Sequence, residues 1–475
     1  MLQLLPQWLG KRPEVVVDDL KSEKPQWDLE HWTPISVTSY GVDPEFSMCK
    51  LNFKAYSKGG PNKLPMFKDL LAASQCKGRN SKTMRFSEIK EEMESEEARG
   101  LPRSTMLSPT GFVFHESRVG STLVANLLGS DPFNMVFSES TPPASVLLHC
   151  KGKCSHQDKV AVFRNTLLAM GRSPTHKRVF FKFQSITTQH MKIALEAFPE
   201  TPWVFVHRNP VQTMMSHMDP AKGGGSSANC LKSKRSPSEK FISSLTNVGL
   251  SVPNAPNEAV CAAHLNMLCE SAVDAYKEFG YYGNDPSRPR GLLLDYKLLP
   301  GAVPNLLLEL FGQPPASAQL LKSMAKESSQ YSKSSSRNVH RGKSGLFNGD
   351  SEDKEKRATD AIEKWANKIL GPTYEKMTSL SLPVIRSLSG GRIDDAEIKQ
   401  IAGSDSAAQE SSAVLPSYAY EAFRNSHNSS RYEVDLLSKC LYCTVNTVLM
   451  LLLPPICRPL TVPIFLLITT QSLMT

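Results

Sequence analysis

Between residues 106 and 206, short apolar runs alternate with stretches whose apolar positions recur every three or four residues. Phe112-Val113-Phe114 reads as a buried strand, and Leu123, Val124, Leu127 and Leu128 mark one face of the helix that follows. Asn134-Met135-Val136-Phe137 is a second strand, closed by Pro142-Pro143. The same pattern predicts a helix over 160–170, a strand over 178–183, a helix over 193–198 and a strand over 201–207. Downstream it predicts a helix at 259–280, a strand at 291–296, a helix at 303–311 and a final helix at 355–370. Strands alternating with helices at this spacing argue for an α/β fold, a three-layer α/β/α core around a mainly parallel sheet.

The flanks differ in pattern. Residues 1–105 are broken by prolines and form an N-terminal extension whose charged run at 87–99 reads as a solvated helix. The core domain is assigned to 106–385. Within it, the Gly-, Ser- and Lys-rich segment 219–258 is expected to be a mobile insertion. A polar linker, 386–440, leads to an apolar tail, 441–475, whose prolines keep either half short of the roughly 20 residues a membrane span needs. Membrane contact through that tail is an expectation, and the amino terminus shows no signal-peptide pattern.

Composition narrows the function. The chain has 475 residues, 40% of them hydrophobic, and a net charge of +9. That charge suits an anionic ligand, but no basic stripe with interleaved aromatics points to nucleic acid. Ten cysteines in this length are no disulfide scaffold. The pairs Cys150/Cys154 and Cys440/Cys443, the first flanked by His149 and His156, lack a full zinc set. Reduced or incidental cysteines are expected there rather than a metal site. No metal is expected, and a cytoplasmic location is favoured over Golgi or membrane anchorage.

Two turns carry the candidate chemistry. Ser117-Arg118-Val119-Gly120-Ser121-Thr122 joins a strand to a helix, where backbone N–H groups and the helix dipole converge on an anion. Gly120 lets the backbone approach it, Ser121 and Thr122 add hydroxyls, and Arg118 adds charge. No lysine follows the glycine, so the Mg–triphosphate apparatus of G-x-x-x-x-G-K-[ST] is missing. Arg208-Asn209-Pro210 then ends a strand and opens a helix, with Ser216 two turns along it. Arg118, Glu139, Gln184 and Arg208 all follow predicted strands and should converge on one crevice.

Together these motifs resemble the sulfotransferase family, which uses 3′-phosphoadenosine 5′-phosphosulfate (PAPS). The resemblance covers residues 110–380 and implies that the 117–122 loop holds the 5′-phosphosulfate. It implies that Arg208 and Ser216, with the family's spacing of eight, hold the 3′-phosphate. Leu294-Asp295-Tyr296-Lys297-Leu298 looks like a family strand segment in reversed order, and Arg341-Gly342-Lys343-Ser344-Gly345 resembles the basic loop that closes on the 3′-phosphate. The chain departs from the pattern in three places. Arg118 replaces the loop lysine, Leu123 replaces the tryptophan that stacks on adenine, and Lys182-Phe183-Gln184 replaces a Lys-Thr-His ending. The resemblance thus implies sulfuryl transfer to a hydroxyl or amine of a small-molecule or carbohydrate acceptor, without metal. Glu139 is the expected base and Arg118 the expected electrostatic catalyst, with His115 and His190 as alternative bases. A kinase or hydrolase on the same scaffold, or an inactive nucleotide-binding relative, are the competing readings.

Overall fold

In the computed structural model of the chain, residues 32–41, 43–52, 66–98, 105–149, 154–173, 176–219, 228–329 and 351–390 are described. Arg341, Lys343, the linker beyond Gly390 and the 441–475 tail lie outside them. Among the described residues no helix is long and apolar enough to cross a membrane.

The core is a five-stranded sheet built from β5 (Pro109–His115), β6 (Asn134–Ser138), β8 (Arg178–Lys182), β9 (Trp203–His207) and β10 (Gly291–Asp295). Their order across the sheet is β10-β9-β5-β8-β6, and every pairing is parallel. These strands are almost continuously buried, as the unbroken apolar runs require of a sheet covered on both faces. Phe112, Phe114, Phe181 and Phe183 pack ring against ring at its centre, the Phe114–Phe183 pair at 4.8 Å. The chain leaves β5 toward β6 and returns through β8. It then crosses to the other side for β9 and β10. Reversal of direction on either side of β5 opens a crevice at the carboxyl ends of β5 and β9. A short antiparallel pair, β4 (Thr105–Met106) with β7 (Arg172–Ser173), lies apart from this sheet and leads into β5.

Helices cover the sheet, consistent with three layers. They are α3 (Ser121–Leu128), α4 (Thr141–His149), α5 (His156–Met170), α6 (Met191–Ala197), α7 (Pro210–Met218), α8 (Glu239–Thr246), the long α9 (Asn257–Phe279) and α10 (Ala318–Ser328). The last predicted helix is in fact several. Lys356 ends α11 (Ser351–Lys356), and Thr359 accepts from the Ile362 amide to cap α12 (Asp360–Trp365). A π turn, Ala366–Leu370, then runs into α13 (Gly371–Ser389). Met377, Val384, Ile385 and Leu388 bury one face of α13, so the helix continues through Pro383 to a left-handed Gly390.

Residues before the core form their own layer. An antiparallel sheet of β1 (Trp32–Ser39), β2 (Glu45–Lys50) and β3 (Ser81–Arg85) is accompanied by α1 (Phe67–Ser74) and α2 (Phe86–Ala98). Phe67 and Leu70 are buried in the main core, Phe67 meeting the Phe137 ring edge-on at 5.8 Å.

Cysteine chemistry departs from expectation. Cys49 is bonded to Cys76 and Cys230 to Cys261, and Cys154 is disulfide-bonded as well. The expectation of reduced cysteines is corrected accordingly. Partners 27 and 31 residues apart meet only once the fold brings their elements together, which spacing along the chain does not reveal. Cys269, buried in α9, is a free thiol. No cluster of three or more metal-ligating side chains occurs among the described residues.

Candidate active site

A cavity of about 790 Å³ lies at the crevice between β5 and β9. Arg118, Gly120, Ser121, Thr122, Glu139, Gln184, Arg208 and Ser216 all line it, so the residues singled out from separate turns do converge. Four cations line it, Arg118, Arg208, Lys232 and Lys354, against the single carboxylate of Glu139 among the described residues. That imbalance makes it a site for an anion.

The loop after β5 is held in an uncommon backbone form. Ser117 has φ +97°, Arg118 φ +61° and Gly120 φ +80°. Four non-glycine residues have positive φ among the described ones, and Ser117, Arg118 and Glu139 are three of them. Each such residue costs on the order of 1–3 kcal/mol, and such strain concentrates where a ligand is held. At Gly120 glycine is required twice over. Its φ is left-handed, and a Cβ there would lie 2.7 Å from the Tyr296 ring. Helix α3 then begins at Gly120 with no side-chain cap on its first amides, whereas Asn209 caps α7 and Ser238 caps α8. An uncapped helix start facing a cavity leaves amide donors for a bound anion. The Ser121 and Thr122 side chains, both nearly buried, line the same spot.

Arg208 is fixed from several sides. Its guanidinium lies 4.0 Å over the Tyr296 ring, donates from Nε to Gln212 Oε1 at 2.6 Å and donates to Ser351 Oγ at 2.8 Å. Tyr296 therefore links the two turns, covering Gly120 while supporting Arg208. Ser216 also lines the cavity, but its hydroxyl donates to the Gln212 carbonyl within α7 at 2.9 Å. Beneath the loop Glu116 is wholly buried. Its Oε2 accepts the Arg208 amide at 3.3 Å, tying the end of β5 to the end of β9. Burial pushes the Glu116 carboxyl well above the usual carboxylate range, which favours its neutral form beneath the anion loop.

Glu139 closes the other side. It sits just past β6 at φ +56°, and its amide donates to the Lys182 carbonyl at 2.7 Å. Its Oε1 accepts from the Lys182 ammonium. Lys182 is completely buried, while Glu139 keeps 26% of its side chain exposed toward the cavity. Burial pulls the Lys182 ammonium below its ordinary value, and the Glu139 charge partly restores it. Thus a carboxylate faces the cavity, with a lysine holding it from behind.

The two alternative bases fare differently. His115 Nδ1 accepts the Ser117 amide at 3.1 Å and its Nε2 lies 3.0 Å from the Phe183 carbonyl. This fixes the neutral tautomer with Nε2–H donating, and leaves Nδ1 occupied. His115 supports the loop rather than offering a base. His190 ends the 3₁₀ turn Ser185–His190 and is not among the residues lining the cavity.

Several residues at the site were not singled out by sequence reading. Lys354, 3% exposed on α11, brings a cation from beyond the segment that contains Arg341 and Lys343. Lys232, Ser233 and His264 come from the other wall, where Ser233 Oγ and His264 Nδ1 are 2.7 Å apart. The Cys230–Cys261 bridge and the Ser233–His264 contact are parallel rungs, three residues apart on each element. They fasten the 3₁₀ helix Asn229–Arg235 along α9. Part of the span read as an insertion is thus a helical wall of the cavity. A signal for this wall was in the sequence, a cysteine and a serine spaced as a cysteine and a histidine are in α9. Only the fold shows that they face each other.

No protein-family model matches the chain, and no curated protein matches it. Among solved structures, the crystal structure of sulfotransferase STF9 from Mycobacterium avium is similar, with a TM-score of 0.34 and 11% identity. The match covers 60% of this chain and 81% of that one.

Proposed function

We propose that the chain transfers a sulfuryl group from PAPS to an acceptor hydroxyl. The observation that carries this reading is one cavity in which an uncapped, strained anion loop, two arginines and a lysine-backed carboxylate meet. The cavity fits such a donor on its own terms, because among the described residues its Arg and Lys side chains face the single carboxylate of Glu139, and burial favours the neutral form of the Glu116 carboxyl beneath the loop.

In this reading the 118–122 turn and Arg118 would hold the phosphosulfate end, and Arg208 with Ser216 the 3′-phosphate. Lys354 adds a further cation to the same lining. PAPS, when bound, supplies the sulfuryl group and a phosphate as leaving group. The chain's own part is electrostatic and acid–base. Amides and guanidinium aimed at the leaving oxygen stabilise charge as it develops there, the role metal ions play in phosphoryl transfer. Glu139 takes the proton from the acceptor hydroxyl, and Lys182 keeps its carboxylate turned toward the cavity. His115 holds the loop through the Ser117 amide. Leu123 lines the cavity at the family's tryptophan position, so adenine would meet an aliphatic side chain there.

The disulfides support an oxidising compartment over the cytoplasm for this enzyme. Calorimetry tests the nucleotide assignment. 3′,5′-ADP should bind more tightly than either 5′-AMP or Mg–ATP, and equal affinity for 3′,5′-ADP and 5′-AMP would sink it.

A further inference from the structure

The cavity has a second wall that the nucleotide reading leaves unused, and its chemistry is specific. Asn229, Lys232, Ser233, Ser236, Gln189 and His264 line it. Amides, hydroxyls and an imidazole each offer donor or acceptor sites, or both, whereas a phenol or steroid would call for an apolar wall. Wholly apolar side chains in the lining are few: Val119 and Leu123 belong to the anion loop and its helix and the Tyr296 ring covers Gly120, which leaves Ile186 and Pro237. His264 is nearly buried, and burial lowers its imidazole to about 4, so near neutral pH it is an uncharged hydrogen-bonding group.

The outer edge of this wall is basic. The 3₁₀ helix Asn229–Arg235 carries Lys232, Lys234 and Arg235 in its last turn, all exposed. Lys234 donates to the Pro253 carbonyl at 3.2 Å, which keeps it on this edge. The Cys230–Cys261 bridge fixes the helix to α9, so Lys232 is held in the cavity lining with Lys234 and Arg235 beside it on the same short helix rather than on a swinging loop. Polar groups inside and cations outside match a ligand with many hydroxyls and negative charge along its length.

We infer that the acceptor is an acidic glycan, bound with a sugar hydroxyl between Glu139 and the Ser233–His264 wall and its carboxylates or sulfates on Lys232, Lys234 and Arg235. This rests on the sulfotransferase reading above. The transfer balances: the sulfur–oxygen bond to the donor phosphate breaks, a sulfur–oxygen bond to the sugar oxygen forms, and the hydroxyl proton passes to Glu139.

The test uses the full chain with PAPS and four acceptors: chondroitin and heparosan, which carry uronates, a neutral cello-oligosaccharide, and 2-naphthol. Calorimetry with 3′,5′-ADP runs in parallel. Sulfation of a uronate-bearing glycan ahead of the other two is expected. The combined variant Lys232→Ala, Lys234→Ala, Arg235→Ala should raise KM for that glycan about tenfold at low salt and less at high salt, as rim charges do. The variant Lys234→Ala, Arg235→Ala, which keeps the cavity cation Lys232, should bind 3′,5′-ADP as the wild type does. If 3′,5′-ADP binds but 2-naphthol or the neutral sugar is sulfated at least as well, the acceptor class is overturned while the donor reading stands. The acceptor class is overturned equally if neither uronate glycan is sulfated, or if the triple variant leaves KM unchanged. If 3′,5′-ADP does not bind, the donor reading falls and this inference falls with it.

Discussion

The two walls of the cavity are built by opposite means. On the sheet side, loops leave the carboxyl ends of buried parallel strands and hold left-handed backbone at Ser117, Arg118, Gly120 and Glu139. On the other side, a short 3₁₀ helix lies along α9, fixed by a disulfide and a serine–histidine hydrogen bond. The first wall presents backbone amides and buried charges, whose positions depend on the whole sheet. The second presents side chains on a surface element whose position depends on two local links. Chemistry and nucleotide binding should therefore be sensitive to changes in the first wall, and acceptor choice to changes in the second.

The sharpest break is at Glu139. Glu139→Gln keeps size and an oxygen for Lys182 but cannot take the acceptor proton, so turnover should fall by roughly 10²–10⁴-fold while affinity for 3′,5′-ADP stays near wild type. Lys182 loses its countercharge in the same variant, so its melting temperature should also drop. Single-turnover rates measured below that temperature decide the matter, and a wild-type rate would make Glu139 structural.

His264 tests the second wall through pH. Its imidazole gains a proton near 6.5 when unfolded and only near 4 when folded. The unfolded state therefore holds more protons in between, and stability is full above pH 6.5 and lost as pH falls toward 4. The loss should reach about 3 kcal/mol, and His264→Asn should abolish that part of the pH dependence. Denaturant midpoints at pH 7 and pH 4 provide the measurement.

Arg208 comes next in size. Arg208→Ala should cost about 1.5–3 kcal/mol of 3′,5′-ADP affinity and remove most of the preference over 5′-AMP. Arg208→Lys retains charge but loses the fork that reaches Gln212 and Ser351 while lying over Tyr296, so it should recover only part of the affinity. Calorimetry on both variants, with melting curves to check the fold, separates a ligand contact from a purely structural arginine.

How much of this was legible in sequence follows the same division. Apolar runs such as Phe112-Val113-Phe114 were readable because a strand buried on both faces has no polar positions to obscure it. Arg118 and Arg208 were readable because each stands in a turn whose neighbours, Gly120 and Asn209-Pro210, have a local conformational reason to be there. Lys182 stands at a strand end that the sequence makes legible, yet its pairing with Glu139 depends on β6 lying beside β8, a register that no local pattern encodes. The Ser233–His264 and Cys230–Cys261 contacts bring together residues 31 apart on different elements, so local propensity gave no hint of them. The long final helix was misplaced because Thr359 caps a new helix inside what reads as a continuous periodic stretch.

Ser216 gives the smallest expected effect and the finest test of the first wall. Its spacing from Arg208 suggested a hydroxyl donor to the 3′-phosphate, yet its proton is directed to the Gln212 carbonyl one turn back. To serve a phosphate the hydroxyl must rotate and give up that bond, which reduces its net worth to that of a single exchanged hydrogen bond. Ser216→Ala should thus weaken 3′,5′-ADP by about 0.5–1.5 kcal/mol, leave 5′-AMP unaffected and keep the fold. A loss as large as that of Arg208→Ala would mean that the hydroxyl is a principal contact. No loss at all would mean that it stays bonded within α7, and that the 3′-phosphate rests on Arg208 and its cationic neighbours alone.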